Sequence, residues 1–204
     1  ENQLGTPQGG VISPLLANIA LNDMEKEVMT NMRKSWNVKI VRYADDVVIL
    51  AHKPEHIESA KVKLEEFLKP VGLELSKEKT KLGHTLFSLN GETPGLNYLG
   101  YNFRNYPTGK HTGVKSTRGV KQNFRQRTRP SKKAVTFHKT VIKKVLSDYK
   151  NAPLPAVIDA LSSRIRGWTH YHAMTQSHVN IAKIEHMMQQ LVAIRYAVAC
   201  YVNI

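Results

Sequence analysis

Cysteine and long apolar runs are what this sequence has least of. The single cysteine, Cys200, rules out an intramolecular disulfide, and because it lies in an apolar helical pattern we interpret it as a small core residue. No stretch is long and apolar enough to span a membrane, and the N-terminus has no signal-peptide pattern. These absences argue against disulfide-rich secreted and membrane-spanning classes, and we expect a reducing, intracellular setting.

Acidic residues are scarce in the second half of the chain. Residues 1–100 hold 12 Lys and Arg against 13 Asp and Glu, a balance of −1, whereas residues 101–204 hold 18 against 3, a balance of +15. The whole formal charge of +14 therefore lies in the second half, which predicts a polyanionic partner.

The stretch from Arg104 to Lys133 has ten basic residues and no acid, and Tyr106 and Phe124 are interspersed among them. A solvated linker and a phosphate-binding segment both remain open. The second is favoured because each neutralised phosphate releases counterions and aromatic rings stack on bases.

A pair of adjacent carboxylates, Asp45 and Asp46, stands between two β-rich runs. The run from Val47 to Ala51 has no polar residue, so we expect a strand covered on both faces. Two acids at such a buried edge repel each other and are poorly solvated. A bound divalent cation, Mg²⁺, would neutralise their charge. The alternative is a surface β-turn with Asp at favoured positions.

The segments around this hairpin predict helices packed on an antiparallel sheet, an α+β arrangement. We expect a helix from Ser13, the N-cap, to about Arg33, with Leu16, Ile19, Met24, Val28 and Met32 among the residues facing a core. The further expectations are a helix from Lys53 with a Glu65–Lys69 pair, an edge strand at 73–75, a basic turn at 76–81, and strands at 86–89 and 96–103.

From about Pro130 the apolar spacing becomes helical throughout. It predicts three helices, the first marked by apolar residues from Val141 to Tyr149 and the others at about 154–172 and 181–198, and hence a small all-helical bundle. Four of the histidines in this region have a spacing that sets up no metal site, so we expect them at the surface or facing RNA: His170, His172, His178 and His186.

Taken together, these motifs resemble the C-terminal palm and thumb of the reverse transcriptases encoded by group II introns. The segments that carry the resemblance are LGTPQGGVISP at 4–14, YADD at 43–46, GLELSKEKT at 72–80, YLGYNF at 98–103 and IRGWTHYH at 165–172. Five such segments in the right order span nearly the whole chain. The resemblance implies an RNA-directed DNA polymerase that uses Mg²⁺ and acts on an RNA template, a DNA primer or target, and deoxynucleoside triphosphates.

The resemblance also assigns roles to individual residues. Asp45 and Asp46 would hold the metal ions. Lys79 would be a general acid near the pyrophosphate, and Lys77 and Lys81 are alternatives for that role. The nucleotide-binding residues would be Pro7, Gln8, Gly9, Tyr43 and Ala44. The primer grip would be Tyr98, Leu99, Gly100 and Tyr101. The nucleic-acid-binding residues would be Arg118, Lys121, Arg125, Arg127, Arg129, Lys132, Lys133, Arg164 and Arg166.

We therefore expect part of a polymerase palm over 1–103, a basic linker over 104–131 and a helical thumb, or maturase domain, over 132–204. The family carries a further catalytic aspartate and a fingers region upstream of the glycine loop, and we expect an N-terminal part of the same protein to supply both. Residues 1–204 alone should then be inactive as a polymerase. A bacterial cytoplasmic or nucleoid-associated ribonucleoprotein is the expected location, and an organelle is the alternative.

Other functions remain open. A non-catalytic maturase that binds intron RNA during splicing is one, although the intact YADD and Gln8 favour an enzyme. A relative attached to CRISPR adaptation or bacterial defence is another, and the segment around Trp168 counts against it. Ala44 stands where RNA-templated RNA polymerases typically have glycine, which disfavours that activity.

Overall fold

The structure is a computed structural model that describes residues 12–30, 32–89, 91–109, 114–115 and 119–175. It divides into two compact units, Glu1–Lys81 and Leu82–Ile204. Each unit combines helices with antiparallel strands, as the α+β prediction requires. Within the described ranges, no helix is both long and apolar enough to cross a membrane.

The first unit packs helices beside a two-stranded hairpin. Its elements are α1 at Ser13–Ala20, α2 at Met24–Thr30, β1 at Lys39–Tyr43, β2 at Asp46–Leu50 and α3 at Pro54–Leu68. The core forms where α2 meets α3, because Met24 and Val28 on one helix and Ala60 and Leu64 on the other are fully or almost fully buried. Burying a large apolar side chain of this kind contributes about 1.5–3 kcal/mol, which makes this contact the main stabilising feature of the unit.

The prediction of one long helix from Ser13 to Arg33 is wrong in three respects. The chain breaks at residues 21–23, where Asn22 and Asp23 favour a turn because their side chains compete for backbone hydrogen bonds. Met24, Val28 and Met32 reach the core as expected, but α1 leaves that axis, and Leu16 and Ile19 are exposed within the described part of the chain. Ile12, not Ser13, occupies the N-cap position.

Helix α3 begins at Pro54 and buries Ala60, Leu64 and Leu68, but Glu65 pairs with Lys61 across 3.9 Å rather than with Lys69. The edge strand predicted at 73–75 does not form. The strand predicted at 86–89 is reduced to a single bridge between Leu89 and Glu92. These short runs have too few paired neighbours to make a ladder.

The second unit contains a three-stranded antiparallel sheet and two long helices. The strands are β3 at Leu96–Tyr98, β4 at Tyr101–Pro107 and β5 at Phe124–Pro130, in the order β3-β4-β5, and the helices are α4 at Lys132–Asp148 and α5 at Leu154–Tyr171. Ser131 caps α4, since its Oγ accepts a hydrogen bond from the Ala134 N–H at 3.1 Å. Ile142, Val157 and Leu161 form the core between the helices.

Two predictions for this unit were wrong. The run from Leu96 to Phe103 is not one strand, because the chain reverses at Leu99 and Gly100. The basic stretch 104–131 is not a plain linker: β4 and β5 pair along their whole length, from Tyr101 opposite Pro130 to Pro107 opposite Phe124. Helices α4 and α5 match the first two predicted thumb helices, and the third lies outside the described residues.

Two glycines of this unit should respond in opposite ways to alanine. Gly100 has φ +76°, so Gly100→Ala should lower the free energy of unfolding by about 1–2 kcal/mol. Gly167 lies within α5 with open space where a Cβ would stand, so Gly167→Ala should raise it by about 0.5–1 kcal/mol. Urea unfolding of both variants measures the difference. Equal effects would contradict the backbone assigned to Gly100.

Candidate functional site

The adjacent carboxylates lie at the tip of the β1–β2 hairpin. Tyr43 pairs with Asp46, which leaves Ala44 and Asp45 as a two-residue loop. Ala44 has φ +52°, the left-handed region that in tight hairpin turns is usually occupied by glycine or asparagine. An alanine there costs about 1 kcal/mol or more, so other contacts must hold the turn in this conformation.

Arg42 supplies such contacts. Its Nη1 donates to the carbonyl oxygen of Ala44 at 3.1 Å and to Oδ1 of Asn18 at 3.1 Å. The guanidinium therefore fixes the backbone of the turn and ties the hairpin to α1. Sequence reasoning missed this role, because no spacing pattern links Arg42 to a residue 24 positions earlier.

The carboxylate turn is exposed, and the prediction of a strand covered on both faces was wrong. Asp45 and Asp46 are exposed, as is Tyr43 at 64%, and Leu50 on β2 is 42% exposed. The described part of this unit gives β2 one neighbouring strand, so the apolar residues after Asp46 are only half-buried. The two acids are thus accessible to a ligand from solvent.

The donor set of this turn suits a hard cation. Two carboxylates on consecutive residues offer oxygen atoms, the ligands that Mg²⁺ prefers, and Mg²⁺ is commonly held by one or two carboxylates together with substrate phosphates. Within the described ranges, no three His, Cys, Asp or Glu side chains are grouped to share a metal ion. The turn therefore fits as part of a metal site and not as a complete cage.

Lys79 lies in the same unit, in the exposed turn at residues 77–79. Its backbone N–H donates to Oγ of Ser76 at 3.4 Å, and the Thr80 N–H donates to the Ser76 carbonyl at 2.9 Å. Among the described residues, its ammonium group forms no ion pair with Asp45 or Asp46. The structure thus leaves Lys79 available but does not bring it to the carboxylates.

The predicted primer-grip residues form the β3–β4 turn of the second unit. Tyr98 pairs with Tyr101, and the two loop residues Leu99 and Gly100 have φ +47° and +76°, which is the pattern of a type I′ hairpin turn. The Gly100 carbonyl accepts a hydrogen bond from the Ser131 N–H at 2.8 Å, which joins the turn to the start of α4.

Two tyrosines join the same turn to the end of α5. The hydroxyl of Tyr171 donates to the Leu99 carbonyl at 2.8 Å, and the hydroxyl of Tyr101 donates to the Tyr171 carbonyl. Burial raises the pKa of the Tyr101 phenol, and the neighbouring Tyr171 raises it further, so Tyr101 stays a donor. All four predicted primer-grip residues are thus on one turn, which α4 and α5 hold.

Behind this turn lies a buried aromatic cluster that the sequence analysis did not foresee. His138 stacks on Trp168 with ring centroids 4.7 Å apart, and Trp168 contacts His172 at 4.6 Å. His172, expected at the surface, is only 2% exposed, and His138 is 4% exposed. Burial lowers the pKa of both histidines, and a charge on His138 would lower that of His172 further. His170 is exposed as expected, while His178 and His186 lie outside the described residues.

The basic residues predicted to bind nucleic acid lie on three elements of the second unit. Arg125, Arg127 and Arg129 are on β5, with Lys121 before it. Lys132 and Lys133 are exposed in the first turn of α4, and Arg164 and Arg166 are exposed on α5. Arg118 and the predicted nucleotide-binding residues Pro7, Gln8 and Gly9 lie outside the described residues.

Comparison with protein families agrees with this arrangement. Residues 1–103 match the family described as reverse transcriptase (RNA-dependent DNA polymerase), and residues 134–198 match the group II intron, maturase-specific domain. The chain therefore belongs to the reverse transcriptase family. With the second match, it is a group II intron reverse transcriptase/maturase, as the sequence motifs indicated. A comparison with curated proteins found no match.

The buried histidines predict an acid-sensitive fold. Their pKa values in the folded state lie below the unfolded value of about 6.5, so folding requires the neutral rings. The stability they contribute is present above pH 6.5 and is lost as pH falls through 6.5 towards the lower folded values. Tyr101, which faces His172, does not titrate in this range, because burial raises the pKa of its phenol.

Melting temperatures between pH 8 and pH 5 test this expectation. The fall on acidification should be smaller in His172→Phe than in the unsubstituted protein, because one proton uptake is removed on unfolding. His170→Gln, which removes an exposed histidine of the same helix, should keep the original slope. A slope that changes equally in the two variants would contradict the role of the buried ring.

Proposed function

We propose that this protein is an RNA-directed DNA polymerase whose Asp45 and Asp46 bind Mg²⁺ at the primer terminus. The observation that carries the proposal is the exposed carboxylate pair on a turn whose strained backbone Arg42 fixes. Reverse transcriptases generally use Mg²⁺, and this chain belongs to their family. When bound, the ions would activate the primer 3′-hydroxyl and neutralise charge on the leaving pyrophosphate.

The chain's own residues would orient the reactants. Tyr43 and Ala44 would lie under the primer end and the incoming sugar, and Gln8, with Pro7 and Gly9, would line the nucleotide pocket. Lys79 would donate a proton to the pyrophosphate, for which its exposed position leaves it free to move. The turn from Tyr98 to Tyr101, fixed between two helices, would contact the primer strand.

We propose further that the second half of the chain binds the template–primer duplex or intron RNA, as a maturase does. Its charge of +15 supports this, as does the match to the maturase-specific domain over residues 134–198. The same match favours an intron-encoded protein over a CRISPR- or defence-associated relative. In this proposal residues 1–103 are palm and residues 132–204 are thumb or maturase domain. The alternative function is that of a maturase that binds RNA without polymerising DNA.

Metal binding at the turn can be tested without polymerase activity. Millimolar Mn²⁺, which shares the ligand preferences of Mg²⁺, should broaden the amide resonances of residues 43–47, and added Mg²⁺ should reverse this. The double variant Asp45→Asn/Asp46→Asn should lose the broadening, since two anionic donors are removed. Glu58→Gln, which removes an exposed carboxylate on α3, should keep it. Unchanged broadening in the double variant would refute the metal assignment.

Polymerisation is expected to need a third carboxylate. Residues 1–204 alone should not incorporate deoxynucleotides on a primed RNA template, and adding the fingers and the earlier palm strand should restore incorporation. Asp45→Asn should then lower the rate at least about a hundredfold, because bound metal ions supply several kcal/mol of transition-state stabilisation. The need for a third acid would be contradicted if residues 1–204 alone incorporated deoxynucleotides and Asp45→Asn abolished that incorporation. If the protein bound RNA but incorporated no deoxynucleotides, with or without the added fingers and palm strand, the maturase function alone would be favoured.

A further inference from the structure

Strands β4 and β5 present two chemically different faces. Asn102 lies opposite Arg129, Arg104 opposite Arg127, and Tyr106 opposite Arg125. Directly opposed residues of an antiparallel pair point to the same side, and alternate residues share a face. The face defined by these six residues, called here the arginine face, therefore carries four arginines. Tyr101 and Phe103 belong to the other face, where Tyr101 contacts Tyr171 and His172 of the helical layer.

The arginine face has no counter-charge of its own. Glu92 is the one acidic residue between Leu82 and Ser147 in the sequence. None of the four arginines forms an ion pair within the part of the chain that the structure describes. Arg104 and Arg127 stand directly opposite each other, and like charges in that position destabilise a sheet. An anion bound to this face would remove the repulsion.

Tyr106 gathers the guanidinium groups. The Cζ atoms of Arg104, Arg127 and Arg129 lie 4.9, 5.5 and 5.7 Å from the centre of its ring, within the range of cation–π attraction. The ring thus holds three planar guanidinium forks near one point before any ligand arrives. Guanidinium forks match the oxygen atoms of a phosphate group and bind it in a bidentate manner.

The chemistry of this face fits a nucleic-acid backbone better than a protein. Its residues are arginine, asparagine and tyrosine, without the aliphatic side chains that form the centre of a protein interface. Its arginines lie in a row along β5 at alternate positions, Arg125, Arg127 and Arg129, so the positive charge extends in one direction. An extended row of charge matches a repeating polyanion and exceeds what a single small anion needs.

We propose that the arginine face binds the phosphodiester backbone of an RNA or DNA strand, and that Tyr106 is the positioning residue that holds its arginines ready. This rests on the proposed function only in taking a nucleic acid as the partner, and it is independent of the metal site. It narrows the basic stretch that the sequence favoured for phosphate binding to one face of a sheet, and it gives Tyr106 the role of holding arginines. The arginines supply the phosphate contacts, and Tyr106 acts through them.

The test is the salt dependence of binding, measured by fluorescence anisotropy with labelled single-stranded RNA, single-stranded DNA and an RNA duplex. Arg104→Gln/Arg127→Gln should weaken binding roughly tenfold near physiological salt. On the single strands it should reduce the slope of log K against log salt concentration by about 1.4, since each lost phosphate contact removes about 0.7. Lys143→Gln/Lys144→Gln, which removes the same charge from the exposed side of α4, should have a clearly smaller effect.

Tyr106 is tested by its own pair of variants. Tyr106→Phe keeps the ring and should bind like the unsubstituted protein. Tyr106→Leu should weaken binding at every salt concentration while largely keeping the slope, because the charges remain but are no longer held together. Circular dichroism melts of each variant establish that the protein is folded before its binding is compared.

The outcomes separate this proposal from the polymerase assignment. Equal losses on RNA and DNA support backbone recognition in its simplest form, and a loss confined to RNA supports it with a contribution from the 2′-hydroxyl. An arginine pair no more sensitive than the lysine pair, or an unchanged salt slope, would overturn it. So would losses seen with polyglutamate and not with nucleic acid, which would assign the face to an acidic protein. Failure of Mn²⁺ to bind at Asp45 would leave all of these results unaffected.

Discussion

The second unit depends on a two-residue turn that three hydrogen bonds join to the two helices α4 and α5. The Leu99 carbonyl accepts from Tyr171 at the end of α5, and the Gly100 carbonyl accepts from the first residue before α4. Tyr101 returns a hydrogen bond to the backbone of α5. Because both loop residues have positive φ, the turn brings β3 back against β4 with no spare residue. The register of the sheet and the position of both helix ends therefore follow from one backbone conformation.

The buried aromatic cluster shows what this arrangement requires. Enclosed ring nitrogens of His138, Trp168 and His172 have no hydrogen-bond partner among the described residues. Leaving such donors and acceptors unpaired costs about 1–3 kcal/mol each, so packing and ring stacking in the cluster must outweigh a polar cost. Neutral histidines can be buried in this cluster, whereas charged ones would add a further desolvation cost. The stability of the turn that Tyr101 and Tyr171 hold therefore depends on pH through these histidines.

How much of this could be read from the sequence depended on the kind of signal. Helices α3, α4 and α5 were predictable, because apolar residues recur on one face and Pro54 marks a clear start. The carboxylate hairpin was predictable from two β-rich runs around a short turn. Strand β5 was missed because its alternation places arginine where an apolar residue normally marks a strand, so Arg125, Arg127 and Arg129 were read as a charge run. The contact of Arg42 with Asn18 and the stacking of His138 on Trp168 were missed because each joins residues that lie far apart in sequence.

The structure removes the first physical reason for a metal ion at the carboxylate turn, and the metal site stays a prediction. Burial of Asp45 and Asp46 was expected to force a cation into the site, yet both residues are exposed, and solvent alone can accommodate their charge. The stronger physical argument is the backbone. Ala44 has a positive φ that glycine would adopt without strain, and the Arg42 guanidinium donates a hydrogen bond to the Ala44 carbonyl. A turn that only closes a hairpin does not need this hydrogen bond, since a two-residue loop with glycine would close it with less backbone strain. The backbone that carries the two carboxylates is thus fixed by the Arg42 side chain, and a fixed backbone is one property that a metal-binding pair needs before its ligand arrives.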